Sequence, residues 1–355
     1  MSLAELIAPA RRLSFVGLAK NTGKTEALNC ALRELREAGR TVGVSSVGRD
    51  GEERDVIDIR IAKPGIDLPA GSLVATTDAL LGACAVAHET LVHTDFRTPL
   101  GRVAVARLLA AGRVAVAGPS AVEDVRAVAD AMLAHGAEQV LIDGAAERRA
   151  ASCPAVSDGL VMSTGAVLHE EIEQVVSRTR DAVDLAQLTE LSDRSEIDQP
   201  IRAIAESRTG NVLVGESPDR PVALRPRLGL TGTAYELGML LHANPTARHL
   251  ILRGAVCEPF LRGLVRAAHG RELQLTVADS TKVFLLRRSY RWFEHHGISI
   301  RVRAPIRLRA LTVSPPAPQS HSFDSRYLRA LLTDAIPDVP IIDVRDHTQD
   351  LASAA

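Results

Sequence analysis

The sequence predicts an α/β protein, with a mostly parallel sheet flanked by helices in a first domain and a second α/β domain after it. Three observations carry this. Short β-branched runs alternate with helix-period segments along most of the chain. Aromatic residues make up 3% of the 355 residues while hydrophobic ones reach 46%, so the cores must be built from Ala, Val, Leu and Ile. That composition suits parallel strands covered by helices. The polar stretch Ser192–Pro200 then interrupts the alternation. It divides the chain into a first domain over 1–190, a linker over 191–200, a second domain over 201–346 and a flexible tail over 347–355.

The first strand is Leu13–Gly17, and the helix following it runs from Glu26 to Ala38. Ala38-Gly39-Arg40 stops that helix, and Thr41–Val47 reads as a second parallel strand, completing a βαβ unit. Segments Ser72–Thr76, Thr90–His93, Val103–Ala106 and Val114–Gly118 read as further strands of the same sheet, some of them antiparallel at its edge. A helix over Val122–His135 ends at Gly136 and leads into the strand Gln139–Asp143. Gly159–Ser163 is the next strand, and His169–Leu188 the next helix. In the second domain, strands are expected at 211–214, 248–253, 273–278 and 339–344, and helices at 234–242, 258–268, 287–296 and 325–335.

The chemistry concentrates between the first strand and its helix, in Gly17-Leu-Ala-Lys-Asn-Thr-Gly23-Lys24-Thr25. A buried strand, a tight glycine loop and a helix N-terminus cradle phosphate with backbone N–H groups. Gly17, Asn21, Thr22, Gly23, Lys24 and Thr25 are the candidate nucleotide-binding residues. Gly23 lets the backbone approach phosphate, Lys24 supplies a charge for the β and γ oxygens, and the Thr25 hydroxyl suits Mg²⁺. The strict phosphate-loop pattern has its first glycine where this chain has Leu18, so the loop here is one residue longer. Asp143, ending an apolar strand before Gly144, is the expected metal-orienting carboxylate opposite Thr25. Asp50, Glu52 and Asp55, in an acidic segment after the second strand, are candidates for holding the attacking water or a second metal contact. Lys24, Asp143 and Asp50 form the candidate catalytic set, and Thr25, Asp143 and Asp55 the candidate metal set. A P-loop NTPase domain using ATP and Mg²⁺ is therefore expected, ATP rather than GTP because no Asn-Lys-x-Asp run is present.

Other constellations have plainer readings beside functional ones. Asp279-Ser-Thr-Lys282 at a strand end is either a ligand site or an Asp cap with a surface lysine. Arg301, Arg303, Arg307 and Arg309 share an alternating segment that reads as a solvated sheet face or a contact for an acidic partner or phosphate-bearing ligand, with Pro305 marking an edge or break. His295-His296 before Gly297 reads as a helix cap. Cys30, Cys84, Cys153 and Cys257 are too widely spaced for a metal motif. A net charge of −1 argues against general nucleic-acid binding, and no apolar stretch reaches the length of a membrane span. No leader pattern opens the chain, so a cytoplasmic location is expected.

The loop spacing, a glycine followed by five residues and then Gly-Lys-Thr, resembles dethiobiotin synthetase, as does Asp143-Gly144-Ala145, with Asp where that family usually has Glu. Dispersed segments resemble a more particular family. Gly17–Thr25, Ser46–Glu52, Lys63–Thr76, Asp279–Lys282 and Ser322-Phe-Asp324 look like the reactivase subunit associated with adenosylcobalamin-dependent lysine 5,6-aminomutase. That resemblance implies an ATP-dependent factor that helps release damaged cobalamin from a client aminomutase, working with a companion ATPase subunit. The dethiobiotin synthetase likeness implies instead an ATP-dependent ligase or kinase activating a small carboxylate, and an expected homodimer. A nucleotide-binding regulatory module without turnover is the third reading.

Overall fold

The computed structural model describes residues 2–48, 65–144, 152–191, 211–214, 222–224, 234–317 and 321–345. In chain order, the first run of elements is α1 (Leu3–Ile7), β1 (Arg12–Gly17), α2 (Lys24–Glu37), β2 (Val42–Ser46), β3 (Ile66–Leu68), β4 (Leu73–Thr77), α3 (Asp78–Gly82), β5 (His88–Thr98), β6 (Gly101–Leu108) and β7 (Gly112–Val114). It continues with α4 (Val122–Ala134), β8 (Gln139–Asp143), β9 (Gly159–Gly165) and α5 (Ile172–Ala186). The middle of the chain forms β10 (Asn211–Val214), β11 (Val222–Leu224), α6 (Ala234–Ala243), β12 (His249–Leu252), β13 (Val256–Cys257), α7 (Glu258–Ala268), β14 (Leu273–Val277), β15 (Val283–Phe284), α8 (Tyr290–His295) and β16 (Ile298–Val302). Last come β17 (Leu308–Ser314), α9 (Ser325–Ala335) and β18 (Ile341–Asp343).

These elements fall into two units, one of residues 1–180 with 307–355 and one of residues 181–306. The first holds a nine-stranded sheet in the order β18-β17-β9-β1-β8-β2-β4-β6-β5. Six of its pairings are parallel, and the two at the β5 edge are antiparallel. Its central strands are buried on both faces, and the two-residue alternation of a strand explains how. Leu13, Phe15, Leu141, Val74 and Ala104 enter one core with Leu28, Ala31 and Leu35 of α2. Val140, Ile142, Leu73, Ala75 and Val105 enter another with Val125, Val128 and Met132 of α4. Helices on opposite faces of one mostly parallel sheet are the consequence.

The second unit has a five-stranded sheet ordered β11-β10-β12-β14-β16, parallel from β12 to β16 and antiparallel around β10. Its core joins Leu250, Leu252, Leu275 and Ile300 to Phe260, Leu261 and Leu264 of α7. At the start of α7, buried Glu258 accepts backbone N–H groups from Leu286, Arg287 and Arg288 at 2.8, 2.6 and 3.3 Å. Burial raises the pKa of this carboxyl, but the N–H groups of Arg287, Leu286 and Arg288 together with Arg262 outweigh it, and the net shift is downward.

The structure corrects the expected domain division. Residues 307–345 belong to the first unit, because β17 pairs with β9 and with β18 in the nine-stranded sheet. The supposed single arginine segment is two strands: Arg301 lies on β16, at the edge of the five-stranded sheet, and Arg309 on β17, inside the nine-stranded one. Pro305 sits in the break between them. Val114–Gly118 is not a strand of the main sheet either; β7 ends at Val114 and pairs with β3 in a separate ribbon. Beyond it, the chain is tied to the strand ends of β2 and β4 by hydroxyls. Thr76 Oγ1 donates to the Ala115 carbonyl and accepts from Ala117 N–H, while Ser46 Oγ accepts from Gly118 N–H. Most of the expected linker and the whole expected tail lie outside the described residues.

Candidate functional site

The carboxyl ends of β1, β8, β2, β9 and β17 meet at one edge of the nine-stranded sheet. In-register pairing aligns Phe15 with Asp143 and Asp143 with Ser46, and sets Gly165 beside Ser314. Ligands of open α/β sheets bind at this edge.

The loop between β1 and α2 is shaped by two glycines for two reasons. Gly23 has φ +80° and ψ 13°, a left-handed conformation, and serves as N-cap of α2 with no side-chain cap. A glycine there lets the chain turn into the helix while the first-turn N–H groups stay open. Gly17 is needed for space. A Cβ on it would stand 2.4 Å from Thr22 Oγ1 and 3.0 Å from the Ala19 carbonyl oxygen. Thr22 is 1% exposed, and its hydroxyl donates to that carbonyl at 3.0 Å, pinning the loop over Gly17. Asn21 also takes a left-handed conformation, φ 63°, and is exposed.

Lys24, the first residue of α2, turns its ammonium onto the end of β8. Its Nζ donates to the Gly144 carbonyl at 2.6 Å and lies 2.5 Å from Asp143 Oδ1. That ion pair is mostly buried, and among the described residues Oδ1 makes no well-aligned hydrogen bond. A carboxylate oxygen offers more than one lone pair, so one paired with an ammonium retains capacity for a further cation. The exposed Thr25 hydroxyl follows Lys24 directly. Thr25 and Asp143 together supply the hard oxygen donors that Mg²⁺ prefers, and the glycine-cleared loop with Lys24 supplies the donors a polyphosphate needs.

Gly17, Thr22, Gly23, Lys24 and Asp143 are therefore brought together as the sequence suggests, and Thr25 stands at the same helix start. Asp50, Asp55 and Glu52 lie outside the described residues. The structure adds three residues that sequence reading passes over. Ser314, ending β17, would meet a Cβ on Gly23 at 3.0 Å. Glu26 sits in the first turn of α2, and Arg345 reaches it from beyond β18 with two hydrogen bonds of 2.9 and 2.6 Å. Glu26 adjoins Gly-Lys-Thr in sequence, but Ser314 and Arg345 are about 290 residues or more away, and no local pattern marks them.

Two second-unit constellations show local capping. Asp279 caps the short 3-10 turn Ser280–Lys282, accepting from Thr281 N–H at 2.9 Å and from the Thr281 hydroxyl. His296 caps α8, and its ring stacks on Trp292 with centroids 3.9 Å apart. Among the described residues no helix is long and apolar enough to cross a membrane. No family model, curated protein or solved structure matches the chain.

Proposed function

We propose that this protein is a Mg²⁺-dependent P-loop NTPase that hydrolyses ATP. The observation that carries the proposal is the convergence of Lys24 on Asp143 and Gly144 beside a helix start whose N-cap, Gly23, places no side chain over the first-turn N–H groups. In this reading Lys24 leaves Asp143 for the β and γ oxygens when ATP binds, and loop amides hold the phosphates. The freed Asp143 carboxylate and the Thr25 hydroxyl would hold Mg²⁺, whose charge would offset that of the non-bridging β and γ phosphate oxygens. One of Asp50, Glu52 and Asp55 orients water in line with the bond to be broken, or makes a second metal contact.

Within that class, the sequence resemblance points to a reactivating factor for a cobalamin-dependent aminomutase, partnered by a companion ATPase subunit. Hydrolysis would then drive release of a damaged cofactor from the client. The six-residue advance from Gly17 to Gly23 favours a second reading, a dethiobiotin synthetase-like ligase or kinase that activates a small carboxylate.

Hydrolysis of ATP and GTP with Mg²⁺ by wild type, Lys24→Ala and Asp143→Asn tests the class. Lys24→Ala is expected to abolish binding, and Asp143→Asn to retain binding but lose Mg²⁺-dependent turnover. A folded Lys24→Ala protein with unchanged ATP affinity would sink the proposal. Adding cobalamin-inactivated lysine 5,6-aminomutase and the companion ATPase separates the two readings: stimulated turnover with recovered mutase activity supports the reactivating factor. Stimulation by a small carboxylate supports the ligase.

A further inference from the structure

We infer that Arg345 is a positioning residue for the nucleotide, acting by cancelling the charge of Glu26 beside the phosphate loop. The inference rests on the phosphate-site reading of Gly17–Thr25. Glu26 follows Thr25 in the first turn of α2, and its Oε2 lies 3.5 Å from where a Cβ on Gly23 would stand. An acid in a first helical turn stabilises the helix dipole. It also sets a negative charge where an incoming polyphosphate must sit, and like charges at that range oppose binding.

Arg345 answers that charge from the far end of the chain. Its Nε donates to Glu26 Oε2 at 2.9 Å and its Nη2 to Oε1 at 2.6 Å, a bidentate pair. The Glu26 hydrogen bonds raise the guanidinium pKa against the opposing effect of burial. The arginine is anchored at its backbone, whose N–H donates at 2.9 Å to Asp343 Oδ1. Asp343 is 1% exposed, and its other oxygen accepts the Ser325 hydroxyl at the start of α9. The end of β18 and the start of α9 thus hold the cation in place. Glu26 and Arg345 side chains are 43% and 48% exposed, and ion pairs so exposed add little to stability. Their consequence lies in the field at the loop, where an unanswered carboxylate would repel the ligand.

The test is a titration of MgATP into wild type, Arg345→Gln, Glu26→Gln, the double variant and Lys24→Ala, at low and at high salt. Arg345→Gln is expected to weaken binding about 10-fold at low salt and less at high salt. Glu26→Gln is expected to bind at least as tightly as wild type, and the double variant to return within about 2-fold of it, because the repelling charge is gone. If Arg345→Gln does not fold, Glu26→Gln and the double variant still decide, since weaker binding by either one overturns the inference. A double variant as weak as Arg345→Gln would mean that the arginine touches the nucleotide or only supports the fold. An unchanged Arg345→Gln beside a dead Lys24→Ala would make the pair inert and leave the phosphate site standing. An unchanged Lys24→Ala would remove the site itself, and the inference with it.

Discussion

Gly17→Ala is the sharpest perturbation of the loop, because its cost follows from two distances. The new methyl would stand 2.4 Å from Thr22 Oγ1 and 3.0 Å from the Ala19 carbonyl oxygen, closer than real contacts allow. Thr22 is β-branched and 1% exposed, so relief requires rotating a stiff, buried side chain out of its hydrogen bond to Ala19. Leaving that hydroxyl and carbonyl unsatisfied costs about 1–3 kcal/mol. Denaturant unfolding of Gly17→Ala should show a loss in that range, with a larger proportional loss in ATP affinity if the displaced backbone is the phosphate cradle we propose. The clash makes a stricter prediction through a double-mutant cycle. In a Thr22→Ala background the obstructing oxygen is absent, so Gly17→Ala should cost less there by about 1 kcal/mol or more. Equal costs in both backgrounds would refute the argument that Gly17 is there to clear Thr22.

Two further predictions follow from groups held by burial. Glu258→Ala strips three backbone N–H groups of their shared acceptor and should destabilise the protein by about 2–4 kcal/mol, read by denaturant unfolding. Its folded pKa is depressed, so wild type should hold its full advantage over the variant above the ordinary glutamate value of about 4.3 and lose it as pH falls through the lower folded value. Equal acid sensitivity of the two proteins would contradict that. The Cys30 thiol, pushed up to about 12 by burial and by Glu34, should resist alkylation at pH 8 until the protein is unfolded; rapid labelling of Cys30 in the native protein would count against its burial.

Local patterns carried much of the fold into the sequence. The β1–loop–α2 passage, the acid ending β8 and helix α9, with Asp324 accepting from Tyr327 N–H at 2.8 Å as its N-cap, are all written within a dozen residues of themselves. What stayed hidden is pairing between distant segments. Nothing in Leu308–Ser314 announces that it will lie against Gly159–Gly165, and Arg307 and Arg309, in step with Arg301 and Arg303, read as part of one segment with β16. The hydrogen bond of 2.7 Å between buried Ser163 and Thr312 is invisible until that pairing is known. For the same reason Lys24 and Asp143 could be paired by chemistry, each ending or starting an element with a phosphate-site pattern, whereas Ser314 and Arg345 could not. The apolar look of Val114–Gly118 misled because burial there comes from hydroxyls of Ser46 and Thr76 gripping an irregular strand, not from a ladder.

The late return of the chain to its first sheet has a consequence for biosynthesis. Residues 181–306 form a contiguous unit, so their fold can close as soon as they leave the ribosome. The nine-stranded sheet cannot. Its strand β9 waits with one edge unpaired until β17 emerges, roughly 150 residues later by sequence, and β18 must follow. An unfinished sheet edge is where nascent chains stick to one another, so a premature stop after 306 and before β17 is complete yields a polypeptide with a completed insert and β9 left as an open, adhesive edge of the parent sheet.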